Sequence, residues 1–288
     1  MTPLAQEIVR LDLAGADWVT GENPWPGLTR SDCRCFEVSA VLPLMRDLVD
    51  NDAWSAARER LAFLPAPVTW IEWHQNPMPP SVSGRVGVLL TAIPGGTHVE
   101  IEGISHHIPH DGYLMRYCAR PDGGHLPRRV EGCDPIAMYP NDVGEMIFAA
   151  PPVVGRDARV FQFTVTNMRM AAAALALINT PRIVGRKTHL PHAGLQREMA
   201  RKRKMVGKFP LQAWTEVTLD LTPPKEAQDD GHEAHLSGGK ALHFCRAYLR
   251  LRNGQVEFVR HHWRGDPSLG LRRSRYVLKP SRAGAIAA

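Results

Sequence analysis

Four short runs rich in β-branched and aromatic residues lie in the first half of the chain, and clusters of proline and glycine separate them. The runs are Val68–His74, Arg85–Ile93, His98–Ile104 and Tyr113–Ala119. Runs of this kind predict strands, and Pro94-Gly95-Gly96 between two of them is typical of a hairpin. The pattern therefore predicts an antiparallel meander in this part of the chain.

Segments with helical spacing flank these strands. The first ~65 residues are predicted to be helical and connecting. Within them, apolar residues recur at helical intervals from Ser39 to Phe63, and a break is predicted at Asn51-Asp52. Arg159–Thr166 has the composition of another strand, and Asn167 is placed to cap a helix over Met168–Ile178. The fold class predicted is α+β, with antiparallel sheets, flanking helices and a terminal Asn-Gly hairpin.

The distribution of charge divides the chain. Residues 1–180 carry 14 Arg, no Lys and 20 acidic residues, whereas residues 181–288 carry 21 Lys and Arg against 9 acidic residues. We therefore distinguish an acidic N-terminal α+β region, 1–180, from a basic C-terminal α+β region, 181–288. The sequence leaves open whether they are two domains or one intertwined domain. The asymmetry favours a polyanionic partner for the basic region, with packing against the acidic region as the alternative.

The basic charge is concentrated in clusters. Residues 182–208 hold nine Lys and Arg against one acid, and Leu195–Met205 has helical spacing with a narrow apolar edge. A helix covered with cations suits a phosphate backbone, whereas a merely solvated helix is the simpler explanation. The candidate nucleic-acid-binding residues are Arg186, Lys187, Arg197, Arg201, Lys202, Lys204, Lys208, Arg246, Arg260, Trp263, Arg264, Arg272 and Arg273.

Asn253-Gly254 separates two strand-like runs near the C-terminus, and this pair favours a type I′ turn because both positions need positive φ. The turn predicts a register in which Arg250 faces Glu257. One face near the turn is then apolar and can pack on a core, with Leu249, Leu251, Val256 and Phe258.

Farther from the turn the same face changes character and carries His243, Cys245, Arg260, His262 and Arg264. Three interpretations remain open. The cluster is an exposed basic sheet end without a specific role, or a phosphate-binding surface on which Tyr248, Trp263 or the histidines stack against bases. The third interpretation is chemical. The candidate catalytic residues for metal-free RNA cleavage are then His243, His262 and Arg264, and the candidate zinc ligands are His243, Cys245 and His262.

A second group of histidines, His98, His106, His107 and His110, can gather metal ligands at a strand end or simply decorate a surface loop. The chain contains no G-x-x-x-x-G-K-[ST] loop, no G-x-G-x-x-G after a strand and no G-x-S-x-G elbow. ATP hydrolysis, dinucleotide redox chemistry and α/β-hydrolase chemistry are therefore disfavoured. No cofactor is expected, with zinc as the alternative.

Several C-terminal segments have a recognisable pattern: residues 186–197, residues 206–210, Ala241–Ala247 and His262–Pro267. Over roughly the last 110 residues they resemble uncharacterised proteins from bacteriophages and prophages of proteobacteria. The resemblance implies a phage-related origin and brings no activity and no catalytic residues. It favours nucleic-acid transactions or interference with a host protein.

The function predicted from these features is a phage-type accessory protein that binds RNA or DNA through the basic helix and hairpin. Two alternatives remain. One is a nuclease centred on the His/Cys/Arg cluster, and the other is a non-catalytic module that docks on an acidic host protein. No secretory signal and no membrane-length apolar run is visible in the sequence, so the cytoplasm of a bacterial host is the expected location.

Overall fold

The computed structural model describes residues 1–14, 25–30, 32–51, 53–75, 84–101, 103–123, 126–129, 135–142, 146–149, 158–180, 183–189, 213–218, 241–245 and 247–271. The chain divides into two compact units. The first comprises Met1–Leu221 together with Leu249–Phe258, and the second comprises Thr222–Tyr248 together with Val259–Ala288. The boundary predicted at residue 180 lies inside the first unit.

Four α-helices lie in the described parts of the chain: α1 (Pro3–Leu13), α2 (Leu42–Asp50), α3 (Ala53–Leu61) and α4 (Ala158–Ile178). Two single turns of 3₁₀ helix, Pro26–Thr29 and Ser39–Val41, accompany them. The predicted break between α2 and α3 is confirmed. Asn51 Oδ1 accepts a hydrogen bond of 2.8 Å from the Ala53 N–H and so caps the start of α3. Among the described residues, no helix has both the length and the hydropathy to cross a membrane.

Strands dominate the remainder of the described residues. Their bounds are β1 Cys33–Glu37, β2 Val68–Gln75, β3 Gly84–Ile93, β4 Thr97–Ile101, β5 Ile104–Ile108, β6 Gly112–Pro121, β7 Arg128–Arg129, β8 Ile136–Pro140, β9 Met146–Ala149, β10 Gly185–His189, β11 Trp214–Thr218, β12 Ala241–Cys245, β13 Tyr248–Arg252, β14 Gln255–Val259, β15 His262–Arg264 and β16 Asp266–Leu271. The predicted α+β class is therefore correct, whereas the prediction of antiparallel sheets holds only in part, because β1–β2, β1–β11 and β12–β16 are parallel pairs.

Nine of the described strands form one mixed sheet in the first unit, in the order β10-β11-β1-β2-β3-β6-β8-β9, with β7 paired to β6. Strand β1 is parallel to both of its neighbours, β11 and β2. The pairs from β2 through β3, β6 and β8 to β9 are antiparallel. The predicted antiparallel pairing is confirmed for β2, β3 and β6, and it continues into β8 and β9, which were not predicted.

Two details of the strand prediction are wrong. Pro94-Gly95-Gly96 does not join two paired strands, because β3 pairs along its whole length with β6. The single strand predicted over His98–Ile104 is a two-stranded hairpin, β4 with β5, inserted between β3 and β6. Gly103 at its turn has a φ of 78°, which glycine adopts without strain.

Two further segments have a structure different from the one predicted. Arg159–Thr166, predicted as a strand, forms the first part of α4. Its β-branched residues favour strands only weakly, and continuity with the alanine-rich helix that follows outweighs that preference. Strand β1 lies in a region predicted to be helical and connecting. It is only five residues long, and both of its parallel neighbours, β2 and β11, are distant in the chain, so no local pattern indicates it.

Side chains on the two faces of the sheet form two cores. One face packs on α2, α3 and α4 through residues such as Ile71, Leu90 and Leu175. The other face packs on α1 through Leu4, Ile8 and Trp70, and Trp70 lies so close to β3 that a Cβ on Gly87 would overlap its ring. The second unit contains a three-stranded sheet of β15, β12 and β16.

Candidate nucleic-acid interface

Strands β13 and β14 pair with each other, and Asn253 and Gly254 between them have φ values of 52° and 79°. The predicted apolar face is confirmed. Leu249 and Val256 are buried in the core of the first unit, and Leu251 and Phe258 pack against it. Arg250 Nη2 lies 2.7 Å from Glu257 Oε2, which is the predicted ion pair.

Side chains of the first unit hold this segment at Val256. The Val256 N–H donates to Asp47 Oδ2 over 2.9 Å, and the Val256 carbonyl accepts from Asn51 Nδ2 over 3.2 Å. The N–H and the carbonyl of Val256 are therefore both bound by side chains from the C-terminal end of α2. The position of Leu249–Phe258 in the first unit follows from these bonds and from the apolar contacts.

In the second unit, β12 pairs antiparallel with β15. His243 lies opposite Arg264, Phe244 opposite Trp263, and Cys245 opposite His262. These are the pairs that the predicted register requires. Residues 260–268 are all exposed, and Trp263 leaves 56% of its surface open to solvent. Arg260, His262, Trp263 and Arg264 therefore share one exposed stretch of chain.

Both candidate catalytic histidines contact a backbone carbonyl. His243 Nδ1 lies 3.0 Å from the Ala241 carbonyl oxygen, and His262 Nδ1 lies 3.0 Å from the Arg260 carbonyl oxygen. Because a carbonyl oxygen can only accept a hydrogen bond, Nδ1 carries the proton in each ring. In the neutral imidazole Nε2 is then an acceptor, which is the form that a general base requires.

The candidate zinc ligands do not form a metal-binding group. His243, Cys245 and His262 are all described, yet no set of three or more His, Cys, Asp or Glu side chains in the described ranges is arranged to hold a metal ion. His243 and Cys245 are neighbours on one strand face, and His262 is opposite only Cys245. The three side chains share a face of the sheet but do not converge.

Arg186 and Lys187 lie in the first unit on β10, the outermost strand of the sheet order. The Arg186 guanidinium donates to the carbonyl of Ile178, the last residue of α4. This bond stabilises the negative end of the helix dipole and engages part of the guanidinium. Lys187 is exposed. Arg186 is exposed as well, and its guanidinium also makes a contact within the fold.

Strands β10 and β11 together carry a cluster that the sequence did not indicate. The His189 ring stacks on Trp214 with centroids 4.0 Å apart and planes 6° apart, and His189 Nε2 lies 2.7 Å from Glu216 Oε2. Alternation along β11 places Trp214 and Glu216 on one face. Their partner strand is separated from them by a long connection, so the sequence alone does not indicate His189.

Three glutamates lie side by side on adjacent strands of the main sheet. Glu37 of β1 is the register partner of Glu216 on β11 and of Glu72 on β2. Glu72 is fully buried. Its carboxylate accepts hydrogen bonds from the Leu4 and Ala5 N–H groups at the start of α1 and from the Trp70 indole. It also lies 2.9 Å from Arg85 Nη1. Glu72 is therefore occupied in holding α1 on the sheet.

Glu37 has a more perturbed environment. Burial raises the pKa of the Glu37 carboxyl, and the hydrogen bond from Ser39 acts in the opposite direction. The Arg85 guanidinium, 3.9 Å away, also favours the charged form. The Ser39 hydroxyl in turn accepts a hydrogen bond of 2.8 Å from the His74 N–H. Glu37 is thus held at the carboxyl end of β1 with its charged form disfavoured.

The other candidate residues for nucleic-acid binding, and the predicted helix over Leu195–Met205, lie outside the described residues. They are Arg197, Arg201, Lys202, Lys204, Lys208, Arg246, Arg272 and Arg273. A scan against protein-family models finds no match to the chain. Searches of curated proteins and of solved structures also find none.

Proposed function

We propose that the protein is a phage-type accessory protein that binds nucleic acid through its basic C-terminal region, including the Asn-Gly hairpin. The observation that carries the proposal is the exposure of Trp263, 56%, on the same short strand as His262 and Arg264. Residues 259–288 carry seven Lys and Arg and one acidic residue. An aromatic ring in a basic, solvent-facing stretch suits stacking on a base.

The physical reason is the cost of leaving an indole in water. Large aromatic side chains contribute most when they are covered, and those that remain exposed beside cations are enriched where partners bind. A base stacked on the indole covers it, and a guanidinium such as that of Arg260 or Arg264 can donate two hydrogen bonds to one phosphate. Stacking and phosphate contact are therefore available from neighbouring residues of one segment.

Fluorescence polarisation of the full-length protein with labelled single-stranded and duplex DNA and RNA tests the proposal. Binding should weaken steeply as salt increases, because each phosphate contact releases a counterion. Trp263→Ala should weaken binding by about 5- to 150-fold, the range expected from losing about 1–3 kcal/mol of stacking. The salt dependence should stay unchanged, since no cation is removed.

The matched control is Phe63→Ala, because Phe63 is an exposed aromatic residue of similar accessibility, 55%, in the first unit. Its removal should leave binding unchanged. Absence of binding to every polymer at low ionic strength would overturn the proposal. Equal loss of binding in the Trp263→Ala and Phe63→Ala variants would show that Trp263 is not part of the surface.

A second candidate function, RNA cleavage without a metal, rests on the orientation of His243 and His262. Their Nε2 atoms are acceptors in the neutral rings, and Arg264 lies opposite His243. His262 Nε2 can remove the proton from a 2′-hydroxyl, whose oxygen then attacks the adjacent phosphorus and displaces the 5′-oxygen, which takes up a proton from water. The Arg264 guanidinium stabilises the negative charge that develops on the phosphate. His262→Gln should then abolish cleavage and leave binding intact. RNA and DNA that stay uncut with and without Zn²⁺, Mn²⁺ or Mg²⁺ would eliminate this function.

A further inference from the structure

The β4–β5 hairpin brings two histidines face to face. His98 lies directly opposite His107 in the antiparallel register, and their ring centroids are 5.0 Å apart with the planes tilted by 48°. Both residues are exposed. The sequence spacing, nine residues apart with a turn between them, does not by itself indicate this proximity; the register does.

The register of this hairpin is fixed from its other face. Ile101 and Ile108 are fully buried in a small core with Ile93 of β3. The Gly96 N–H donates to the Ile108 carbonyl over 2.8 Å and closes the base of the hairpin. A slip of one residue would expose these isoleucines and bury the histidines. The two imidazoles are therefore held opposite each other before any ligand arrives.

We propose that His98 and His107 together bind one late first-row divalent cation, such as Cu²⁺, Ni²⁺ or Zn²⁺, through one ring nitrogen each. Small rotations of rings whose centroids lie 5.0 Å apart bring two nitrogens to about 3 Å, as two metal–nitrogen bonds of about 2.0–2.1 Å on one ion require. Imidazole is a ligand for these metals, and Mg²⁺ and Ca²⁺ select oxygen ligands instead.

The site is bidentate. No group of three or more His, Cys, Asp or Glu side chains among the described residues is arranged around a metal position, so the ion takes water at its remaining positions. His106 lies on the opposite side of β5 from His107, since successive side chains of a strand alternate, and it does not contribute. Among these ions, Cu²⁺ should bind most tightly, and Ni²⁺ and Zn²⁺ should each bind more weakly.

Calorimetric titration of the full-length protein with Cu²⁺ and with Zn²⁺ tests this site in the wild type, in His98→Gln, in His107→Gln and in the double variant. Either single substitution should weaken the strongest site by about 100-fold, because the second nitrogen of a linked pair acts at high effective concentration. The double variant should lose little more than either single variant, as coupled residues do. An excess of Mg²⁺ should not compete.

His110→Gln is the matched control, because His110 pairs with Asp142 and is not opposite another histidine. Its substitution should leave the strongest site intact. Electron paramagnetic resonance of the Cu²⁺-loaded protein should show two nitrogen ligands in the wild type and fewer in either single variant. Unchanged affinity in both single variants, or equal loss in the His110→Gln variant, would overturn the proposal. Circular dichroism of each variant verifies that the fold is retained.

Discussion

The charged residues of the sheet in the first unit and those of residues 260–268 in the second have opposite surroundings. Glu72 is fully buried, and its carboxylate accepts from two backbone N–H groups, the Trp70 indole and Arg85. Arg260, His262 and Arg264 are exposed. The charged groups of the sheet stabilise the fold, whereas those of residues 260–268 face solvent.

This difference limits what charge in a sequence can indicate. Arg186 binds the carbonyl end of α4, and Arg250 is paired with Glu257. Both are basic residues of the C-terminal region whose guanidinium groups have structural contacts. A count of Lys and Arg treats them as equal to Arg264. Exposure and the contacts already made decide which cations remain available to a polyanion.

The largest expected effect tests the structural half of the comparison. Glu72→Ala removes the carboxylate that holds the start of α1 and leaves the Arg85 guanidinium without its closest acid partner. Removing one member of a buried pair costs about 3–5 kcal/mol, so the urea midpoint should fall sharply. Glu100→Ala, at an exposed carboxylate, should change the free energy of unfolding by no more than about 0.5 kcal/mol. Similar stability of the two variants would show that Glu72 does not anchor α1.

A smaller loss of stability is expected from substituting Asn51, which bonds both the start of α3 and Val256. Asn51→Ala removes the cap of α3 and the hydrogen bond to the Val256 carbonyl. Loss of an N-cap costs about 0.5–2 kcal/mol, and the second bond adds to it. Asn51→Asp is the matched variant, because it keeps the capping oxygen and removes the donor to Val256. Chemical denaturation should therefore place Asn51→Asp between the wild type and Asn51→Ala, and the reverse order would contradict the assignment.

The exposed half of the comparison is tested by two substitutions that remove the same charge. Arg264→Gln should reduce the slope of log affinity against log salt by about 1 if its guanidinium contacts a phosphate. Arg250→Gln should leave this slope unchanged, because Arg250 is paired with Glu257. It should instead lower the free energy of unfolding by no more than about 1 kcal/mol, as exposed ion pairs do. Equal changes of slope in both variants would mean that the salt dependence of binding reflects the total charge of the protein and not the position of Arg264.

Local patterns in the sequence were sufficient for the elements whose neighbours are close in the chain. The break at Asn51, the antiparallel strands β2, β3 and β6, and the apolar face of Leu249 and Val256 all follow from periodicity and turn residues. The elements that failed depend on distant partners. Strand β1 is parallel to β11, which lies almost 180 residues later in the chain. A local sequence pattern does not predict a pairing between segments so far apart.

The candidate sites show the same distinction between partners that are close in the chain and partners that are distant. Opposition of His243 with Arg264 and of Cys245 with His262 followed from one turn and from strand alternation. The stack of His189 on Trp214 was not predicted, and His98 and His107 were grouped only as two of four possible metal ligands. Their direct opposition requires knowing which strands pair and in which register. Glu72 offered a hint, since a carboxylate in the otherwise apolar run of β2 must find buried partners. The identity of those partners, at the start of α1, was not contained in that run.

The smallest expected effect concerns Glu37, which is neither as fully bonded as Glu72 nor exposed like Arg264. Because burial raises the pKa of Glu37 in the folded protein, the folded state keeps this proton at pH values where the unfolded chain has lost it. The contribution of Glu37 to stability therefore falls as pH rises from the ordinary carboxyl pKa through the folded value. Glu37→Gln cannot lose this proton, so its free energy of unfolding relative to the wild type should rise across that window and then level off. Ser39→Ala removes the hydrogen bond that lowers the pKa of Glu37 and should extend the window to higher pH. Urea unfolding at a series of pH values checks both, and a pH-independent difference between Glu37→Gln and the wild type would show that Glu37 titrates alike in the folded and unfolded chains.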